Sequence, residues 1–182
     1  MNIKLNKSKI LVSDKNKDIV ILNLDNLISF PVRILKKEDG DIIPILPKRN
    51  RKMNYGINTE YIEFTEMKYR DEFLNRIKDI YKKGEIEENI TNIENETEEK
   101  EMLLPEIQIE YIPITNKYVT ALLDITLYDK IKFKGFKIIY TSDAIKVTSP
   151  CFMKEKDLLN RFKISNKLSN IIISQANKRV EI

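Results

Sequence analysis

Apolar and polar residues form the same succession of patterns twice, on either side of a strongly acidic segment. In each half, short runs rich in Ile, Val and Leu predict four strands, and a later stretch with apolar residues every three or four positions predicts a helix. In the first half these elements cover residues 3–12, 19–24, 27–35, 42–46 and 65–83. In the second half they cover residues 107–114, 119–127, 131–140, 144–148 and 165–178.

The two halves also match residue by residue. Three pairs of identical residues are each 103 positions apart: Leu24 and Leu127, Phe30 and Phe133, Pro47 and Pro150. Further along the third strand the offset becomes 104, so the alignment needs a one-residue slip near Pro31 and Gly135. A duplicated β-β-β-β-α unit is the most economical explanation. Pro31 itself predicts an edge strand or a bulge, because proline has no N–H to donate to a ladder.

These patterns predict an α+β protein with two tandem β-β-β-β-α units, at residues 1–83 and 105–182. Each unit is expected to be an antiparallel sheet with one C-terminal helix, and the two to form an intrachain pseudo-dimer. Residues 84–104 contain eight glutamates and one lysine and no long apolar run, which favours a solvated acidic linker. An exposed helix is the alternative there, because Glu, Met and Leu all favour helices.

The net charge of +4 conceals a strong asymmetry along the chain. Eight glutamates and one lysine give residues 84–104 a charge of −7, so the remaining residues carry +11. A folded body this basic is typical of proteins with a polyanionic partner. The alternative origin is an AT-rich genome, which enriches Lys, Asn and Ile without selection for binding.

Several classes of function are disfavoured by the residues that the chain lacks. It has no histidine, its four glycines are too dispersed for a phosphate-binding loop, and its single cysteine cannot form an intrachain disulfide. We therefore expect no enzyme activity, no cofactor, no metal and no small-molecule substrate. No apolar run approaches the roughly 20 residues that cross a bilayer, and no secretory signal is recognisable, so we expect a cytoplasmic protein without a membrane partner.

The candidate site is a basic loop that directly follows the fourth predicted strand. Its candidate nucleic-acid-binding residues are Lys48, Arg49, Asn50, Arg51, Lys52 and Tyr55. The cations can contact several phosphates, arginine in bidentate fashion, while the asparagine amide can reach sugars or base edges. The tyrosine can stack on an unpaired base. The alternative is a solvated loop that only keeps a small basic domain soluble.

The order of these elements and several short motifs resemble the stage V sporulation protein G family of bacterial septation regulators. The first half resembles that family in its middle strands at 21–35, in Ile-Leu-Pro-Lys-Arg at 45–49, and in a helix at 70–81 that ends in tyrosine. The second half resembles it in Ile-Thr-Leu at 125–127, in 136–139, and in Val-Thr-Ser-Pro at 147–150. Residues 84–104 have no counterpart in the family.

The resemblance implies a fold and a function. Members of the family are about half this length and are homodimers that bind DNA and RNA, with basic residues after the fourth strand implicated in contact. This chain is then two such units fused, with Lys48 or Arg49 at the contact position. The second unit departs from the pattern, because Cys151-Phe-Met153 replaces the basic run. We therefore expect the second unit to be mainly structural.

Two hypotheses follow from the sequence. In the first, the protein is a bacterial regulator that binds DNA or RNA through the basic loop. In the second, it is a non-enzymatic interaction module that recruits a protein partner through a sheet edge or the acidic linker. Self-association through sheet edges is compatible with both hypotheses.

Overall fold

The structure, a computed structural model, describes residues 1–7, 17–48, 60–87, 104–114, 121–141, 144–154 and 157–180. These residues form thirteen strands and two helices. The strands of the first half are β1 (Ile3–Lys7), β2 (Lys17–Leu24), β3 (Ile28–Lys36), β4 (Ile42–Ile45), β5 (Ile62–Phe64) and β6 (Ile86–Glu87). Those of the second half are β7 (Ile107–Pro113), β8 (Ala121–Leu127), β9 (Ile131–Tyr140), β10 (Ile145–Thr148), β11 (Cys151–Lys154), β12 (Asp157–Asn160) and β13 (Lys163–Ile164). The helices are α1 (Met67–Lys82) and α2 (Asn166–Val180).

The strands form two main sheets and one separate hairpin. The first sheet has the order β13-β3-β2-β1-β6, with β4 also paired to β3. The second sheet has the order β10-β9-β8-β7, with β5 also paired to β9. β11 and β12 pair only with each other among the described strands. All pairings are antiparallel except that of β1 with β6. The protein is therefore α+β, as its sequence predicts.

Each half contributes one short strand to the sheet of the other half. β5, from the first half, pairs with β9 so that Phe64 lies opposite Ile131. β13, from the second half, pairs with β3 so that Ile164 lies opposite Ile28. The residues that follow these strands are held in the same way: the Thr65 N–H donates to the Lys130 carbonyl at 3.0 Å, and the Ser165 N–H donates to the Leu27 carbonyl at 2.8 Å. The two sheets consequently share one hydrophobic core.

Equivalent tight turns join the second and third predicted strands of each half. The central residues of these turns, Asp25 and Asn26 in one half and Tyr128 and Asp129 in the other, all have positive φ between 52° and 58°. Asparagine and aspartate adopt this conformation more readily than most residues, and two such residues in succession are typical of a type I′ hairpin turn. The Tyr128 hydroxyl donates to the Asp25 carboxylate, so that the two turns, 103 residues apart, contact each other.

The two helices are held at their ends by local hydrogen bonds. At the end of α1, the Gly84 N–H donates to the Tyr81 carbonyl at 3.1 Å and the Glu85 N–H donates to the Ile80 carbonyl at 3.3 Å. This is the pattern of a Schellman motif, and Gly84 provides the positive φ of 71° that the motif requires. At the start of α2, the Ser165 hydroxyl accepts the Leu168 N–H at 3.2 Å as an N-cap.

Aromatic rings fill the centre of the shared core. Phe30 and Phe133, from the third predicted strand of each half, lie with ring centroids 5.8 Å apart. Phe162, which precedes β13, contacts both of them and also Phe136 and Tyr61 at centroid distances of 5.5 to 6.0 Å. Phe162 is only 1% exposed. Because its ring contacts Phe30 of the first sheet and Phe133 of the second, it packs the two sheets together in the interior.

The expectation that Pro31 marks an edge or a bulge is confirmed only locally, because, among the described strands, β3 is an inner strand without a bulge but Pro31 has no paired strand on one side. It lies in β3 opposite Ile21, in a register with β2 that runs without a shift along the whole strand. On its other side, β3 pairs with β13 at residues 28–29 and with β4 at residues 33–36. Pro31 falls between these two partners, where a missing N–H interrupts neither ladder.

The irregularity occurs instead in the second half. The register between β8 and β9 shifts between Leu123 and Asp124, opposite Gly135. Gly135 has a φ of 87° and is the extra residue of a β-bulge. This is the position at which the two halves of the sequence need a one-residue slip to align.

The acidic segment and the regions before the helices contain strands that the sequence patterns did not predict. Residues 86–87, within the predicted linker, form β6 on the edge of the first sheet. Residues 88–103 lie outside the described residues. Residues 157–160 and 163–164 form β12 and β13, where no regular element was predicted.

Candidate nucleic-acid interface

The candidate basic loop begins at a defined place in the fold. Lys48 follows β4 and forms an antiparallel bridge with Glu60, which precedes β5. Its ammonium group lies 3.3 Å from the Glu60 carboxylate, and its side chain remains 57% exposed. Lys48 and Glu60 are thus neighbours, one after β4 of the first sheet and the other before β5 of the second sheet.

A small groove lies beside this bridge. It has a volume of about 140 Å³ and runs between β4 and β5, with the first turns of α1 along one side. Its floor is apolar and consists of residues from β4 and β5 with Leu74 of α1. Lys48, Glu60 and Arg70 supply its charged groups. The Arg70 guanidinium lies 4.0 Å from the Asp71 carboxylate, and the two side chains are 41% and 63% exposed, so this pair is a weak surface contact.

Among the residues predicted to contact nucleic acid, Lys48 is the one that the structure describes. The other five, Arg49, Asn50, Arg51, Lys52 and Tyr55, lie outside the described residues. The structure adds two charged residues that the sequence patterns did not single out. These are Glu60, the partner of Lys48, and Arg70, one helical turn into α1. No local motif marks either residue, because their proximity to Lys48 depends on the pairing of distant segments.

The second half has a hairpin at the corresponding place. Pro150, which matches Pro47, is followed by the β11–β12 hairpin. The Arg161 N–H donates to the Pro150 carbonyl at 2.6 Å and thereby closes the base of that hairpin. Residues 151–160 include two lysines, at 154 and 156, but also two acidic residues, at 155 and 157. The first half has four cations and no acidic residue over residues 48–59. The two positions thus correspond in the sequence alignment and differ in charge.

Other lysines of the first half are occupied by structural ion pairs. Asp41, after the β3–β4 turn, lies 3.8 Å from Lys37, 3.7 Å from Lys78 and 3.3 Å from Lys82. The Ile42 backbone N–H, and then the Lys82 ammonium, lower the pKa of Asp41. Because α1 carries Lys78 and Lys82, these contacts attach the end of the helix to the hairpin.

A second polar network lies close by. The Asp18 carboxylate accepts a hydrogen bond from the Tyr81 hydroxyl and lies 2.9 Å from the Lys36 ammonium. Burial, followed by the bond to Asp18, raises the pKa of Tyr81, and the bond to Asp18 raises the pKa of Lys36. Both shifts favour the protonated forms at neutral pH. Neither residue is therefore poised as a general base, and the network holds α1 on the sheet.

The outer face of the second sheet carries lysines that also have acidic partners. Lys132 lies 2.9 Å from Glu110, and Lys134 lies 2.6 Å from Glu63. Between them, burial raises the pKa of Asp124, although its carboxylate accepts the Gly135 N–H at 3.3 Å. This face is therefore closer to charge balance than the basic loop of the first half.

Comparison of the chain with protein-family models, with curated proteins and with solved structures finds no match. Within the described ranges, no helix is long and apolar enough to span a membrane. The same part of the chain contains no group of three or more side chains arranged to hold a metal ion.

Proposed function

We propose that the chain is a fused pair of equivalent units that together form an intrachain pseudo-dimer. Three observations support this proposal. Two turns with positive φ, 103 residues apart, contact each other. Each half adds a strand to the other sheet, β5 to β9 and β13 to β3, and the bulge lies where the alignment of the halves needs a slip. The division at residues 84–104 stays a prediction. The order of strands and the Pro-Lys-Arg element at 47–49 favour the unit of the septation-regulator family.

We further propose that the protein binds DNA or RNA through the basic loop of its first unit, as a bacterial regulatory protein. The observation that carries this proposal is the charge of residues 48–59, which contain four cations and no acidic residue. The Lys48–Glu60 bridge brings the two ends of this segment together, and the exposed Lys48 side chain can approach a phosphate backbone. The lysines near Asp41 already have an acidic partner within the protein.

The test is a comparison of two variants with the same loss of charge. In the loop variant, Lys48, Arg49, Arg51 and Lys52 are replaced by Ala. In the matched control, four exposed lysines elsewhere are replaced by Ala: Lys83, Lys137, Lys146 and Lys163. Fluorescence anisotropy with labelled duplex DNA and labelled single-stranded RNA measures the affinity of each protein.

We expect the loop variant to lose most of its affinity for at least one of the two ligands and the control to lose much less. An equal loss in both variants would show that only overall charge matters, and the loop would not be the site. No binding of either ligand by the wild-type protein at low salt would overturn the proposal.

A protein-interaction module is the second candidate, and the apolar groove beside Lys48 favours it. β4 pairs only with β3 among the described strands, so its outer edge borders a groove with an apolar floor. An extended peptide can add to such an edge and place alternate side chains in the groove. This mode predicts binding that is insensitive to the loop charges and sensitive to substitution of Leu74, which lines the groove.

A further inference from the structure

The outer edge of β7 differs from the equivalent edge of the first sheet. β7 is the last strand of the second sheet and pairs only with β8 among the described strands. In the first sheet the corresponding strand, β1, is followed outward by β6, with Leu5 opposite Ile86. Leu5 is fully buried there, whereas Ile107 and Ile109 of β7 are only half-buried.

The direction of the backbone groups along β7 follows from one hydrogen bond. The Tyr128 N–H donates to the Glu106 carbonyl at 3.0 Å, immediately before Ile107 pairs with Leu127. In an antiparallel ladder, hydrogen-bonded positions alternate along each strand, so the backbone groups of Gln108 and Glu110 also face β8. Those of Ile107 and Ile109 face away from β8, toward the outer edge.

Most of this edge lacks the usual protection against pairing with another strand. Natural edge strands are commonly blunted by lysine or proline. In β7 only the last residue, Pro113, is of this kind, and residues 107–112 contain neither lysine nor proline. Their one charged residue is Glu110, and its carboxylate is paired with Lys132 at 2.9 Å. Ile112, near the end of the strand, is 40% exposed.

We propose that β7 pairs antiparallel with β7 of a second copy of this chain, about a two-fold axis at Ile109. In this register Ile109 lies opposite Ile109 of the second copy, and Ile107 lies opposite its Tyr111. The outward backbone groups of the two Ile109 residues then face each other and can exchange two hydrogen bonds. On the other face of the sheet, Gln108 lies opposite Glu110 of the second copy.

The sequence of β7 favours this register over its neighbour. A two-fold axis at Glu110 would place the two Glu110 carboxylates directly opposite each other, which destabilises a strand pair. It would also place Pro113, which has no N–H, opposite Ile107. An axis at Ile109 avoids both contacts and, on the face of the sheet that carries Ile109, matches apolar residues with apolar residues. Two-fold dimers are the commonest homo-oligomers, and here the path β10-β9-β8-β7 of each copy joins into one continuous sheet.

A charge substitution at Gln108 tests both the dimer and its register. The Gln108 side chain is exposed, so its replacement leaves the core of the chain intact. Gln108→Glu creates two like-charge pairs across the interface, whereas Gln108→Lys creates two opposite-charge pairs. Analytical ultracentrifugation of the full chain over a concentration series measures the dimer dissociation constant. Asn75→Glu and Asn75→Lys, at an exposed position of α1, are the matched controls, and circular dichroism verifies that every variant is folded.

We expect a reversible monomer–dimer equilibrium that Gln108→Glu weakens on the order of tenfold and Gln108→Lys strengthens, with both Asn75 variants unchanged. A wild-type protein that stays monomeric at high micromolar concentration would overturn the proposal. A dimer with the same dissociation constant in both Gln108 variants would also overturn it, because Gln108 would then not face Glu110. The dimer does not depend on nucleic-acid binding, so either proposal can fail alone.

Discussion

The contact between the two hairpin turns gives the sharpest test of how the halves are joined. The Tyr128 hydroxyl donates to the Asp25 carboxylate, and the other oxygen of that carboxylate accepts the Asn2 N–H at 2.6 Å. Tyr128→Phe removes the first of these bonds and keeps the ring. A hydrogen bond to a charged group contributes about 1.5–3 kcal/mol, and the part-buried position of this one favours the lower half of that range. We therefore expect a loss of about 1.5–2 kcal/mol of unfolding free energy.

Urea denaturation at neutral pH measures this loss, and Tyr140→Phe is the matched control. Tyr140 also packs against the core, but its hydroxyl makes no hydrogen bond within the described part of the chain. The control is expected to stay within a few tenths of a kcal/mol of the wild type. Equal stability of the two variants would refute the reasoning, because the bond between the turns would then contribute nothing.

The same hydroxyl gives a prediction about alkaline pH. Burial, followed by the bond to Asp25, raises the pKa of Tyr128 above its usual value of about 10. The folded chain therefore holds this proton more tightly than the unfolded chain does. The resulting stability is complete below about pH 10 and is lost as the pH rises toward the folded-state pKa. Between about pH 9 and 11, Tyr128→Phe should lose less unfolding free energy than the wild type, and an equal loss would contradict this assignment.

Three substitutions test the core and the helix ends by thermal and urea denaturation. Phe162→Ala removes a buried ring in contact with four others and should cost about 3–5 kcal/mol, and a cost near 1 would contradict its central position. Ser165→Ala removes the N-cap of α2 and should cost about 1 kcal/mol, whereas Ser165→Gly should cost only a few tenths. Gly84→Ala meets no neighbouring atom but places a Cβ at a φ of 71°, so we expect a loss of about 1 kcal/mol from backbone strain alone.

The sequence predicted the elements whose signals are local. The β-branched runs predicted β2, β3 and β8 to within two residues, and the apolar periodicity with Gly84 predicted α1 to within two residues at either end. The one-residue slip that the alignment of the halves needs near Pro31 and Gly135 coincides with the bulge at Gly135, because one extra residue in a paired strand is accommodated by a bulge.

The shortest strands could not be predicted in the same way. β5, β6 and β13 contain only two or three residues each, too few for alternation to be recognised. Their existence depends on partners far away in the sequence, as in the pairing of Ile62 with Phe133. For the same reason the sequence did not predict the environment of Pro31, which depends on where the pairings of β4 and β13 with β3 end. For the candidate site, the sequence predicted the basic run, and the fold added the Lys48–Glu60 bridge and Arg70.

The most direct test of the proposed function is the salt dependence of nucleic-acid binding. Each cation that neutralises a phosphate of duplex DNA contributes about 0.9 to the slope of log affinity against log salt concentration. If Lys48, Arg49, Arg51 and Lys52 each contact one phosphate, their replacement by Ala should flatten the wild-type slope by about 3–4. The charge-matched control, with its four lysines on other surfaces, should keep the wild-type slope. A loop variant with an unchanged slope would contradict the proposal that this loop is the nucleic-acid interface.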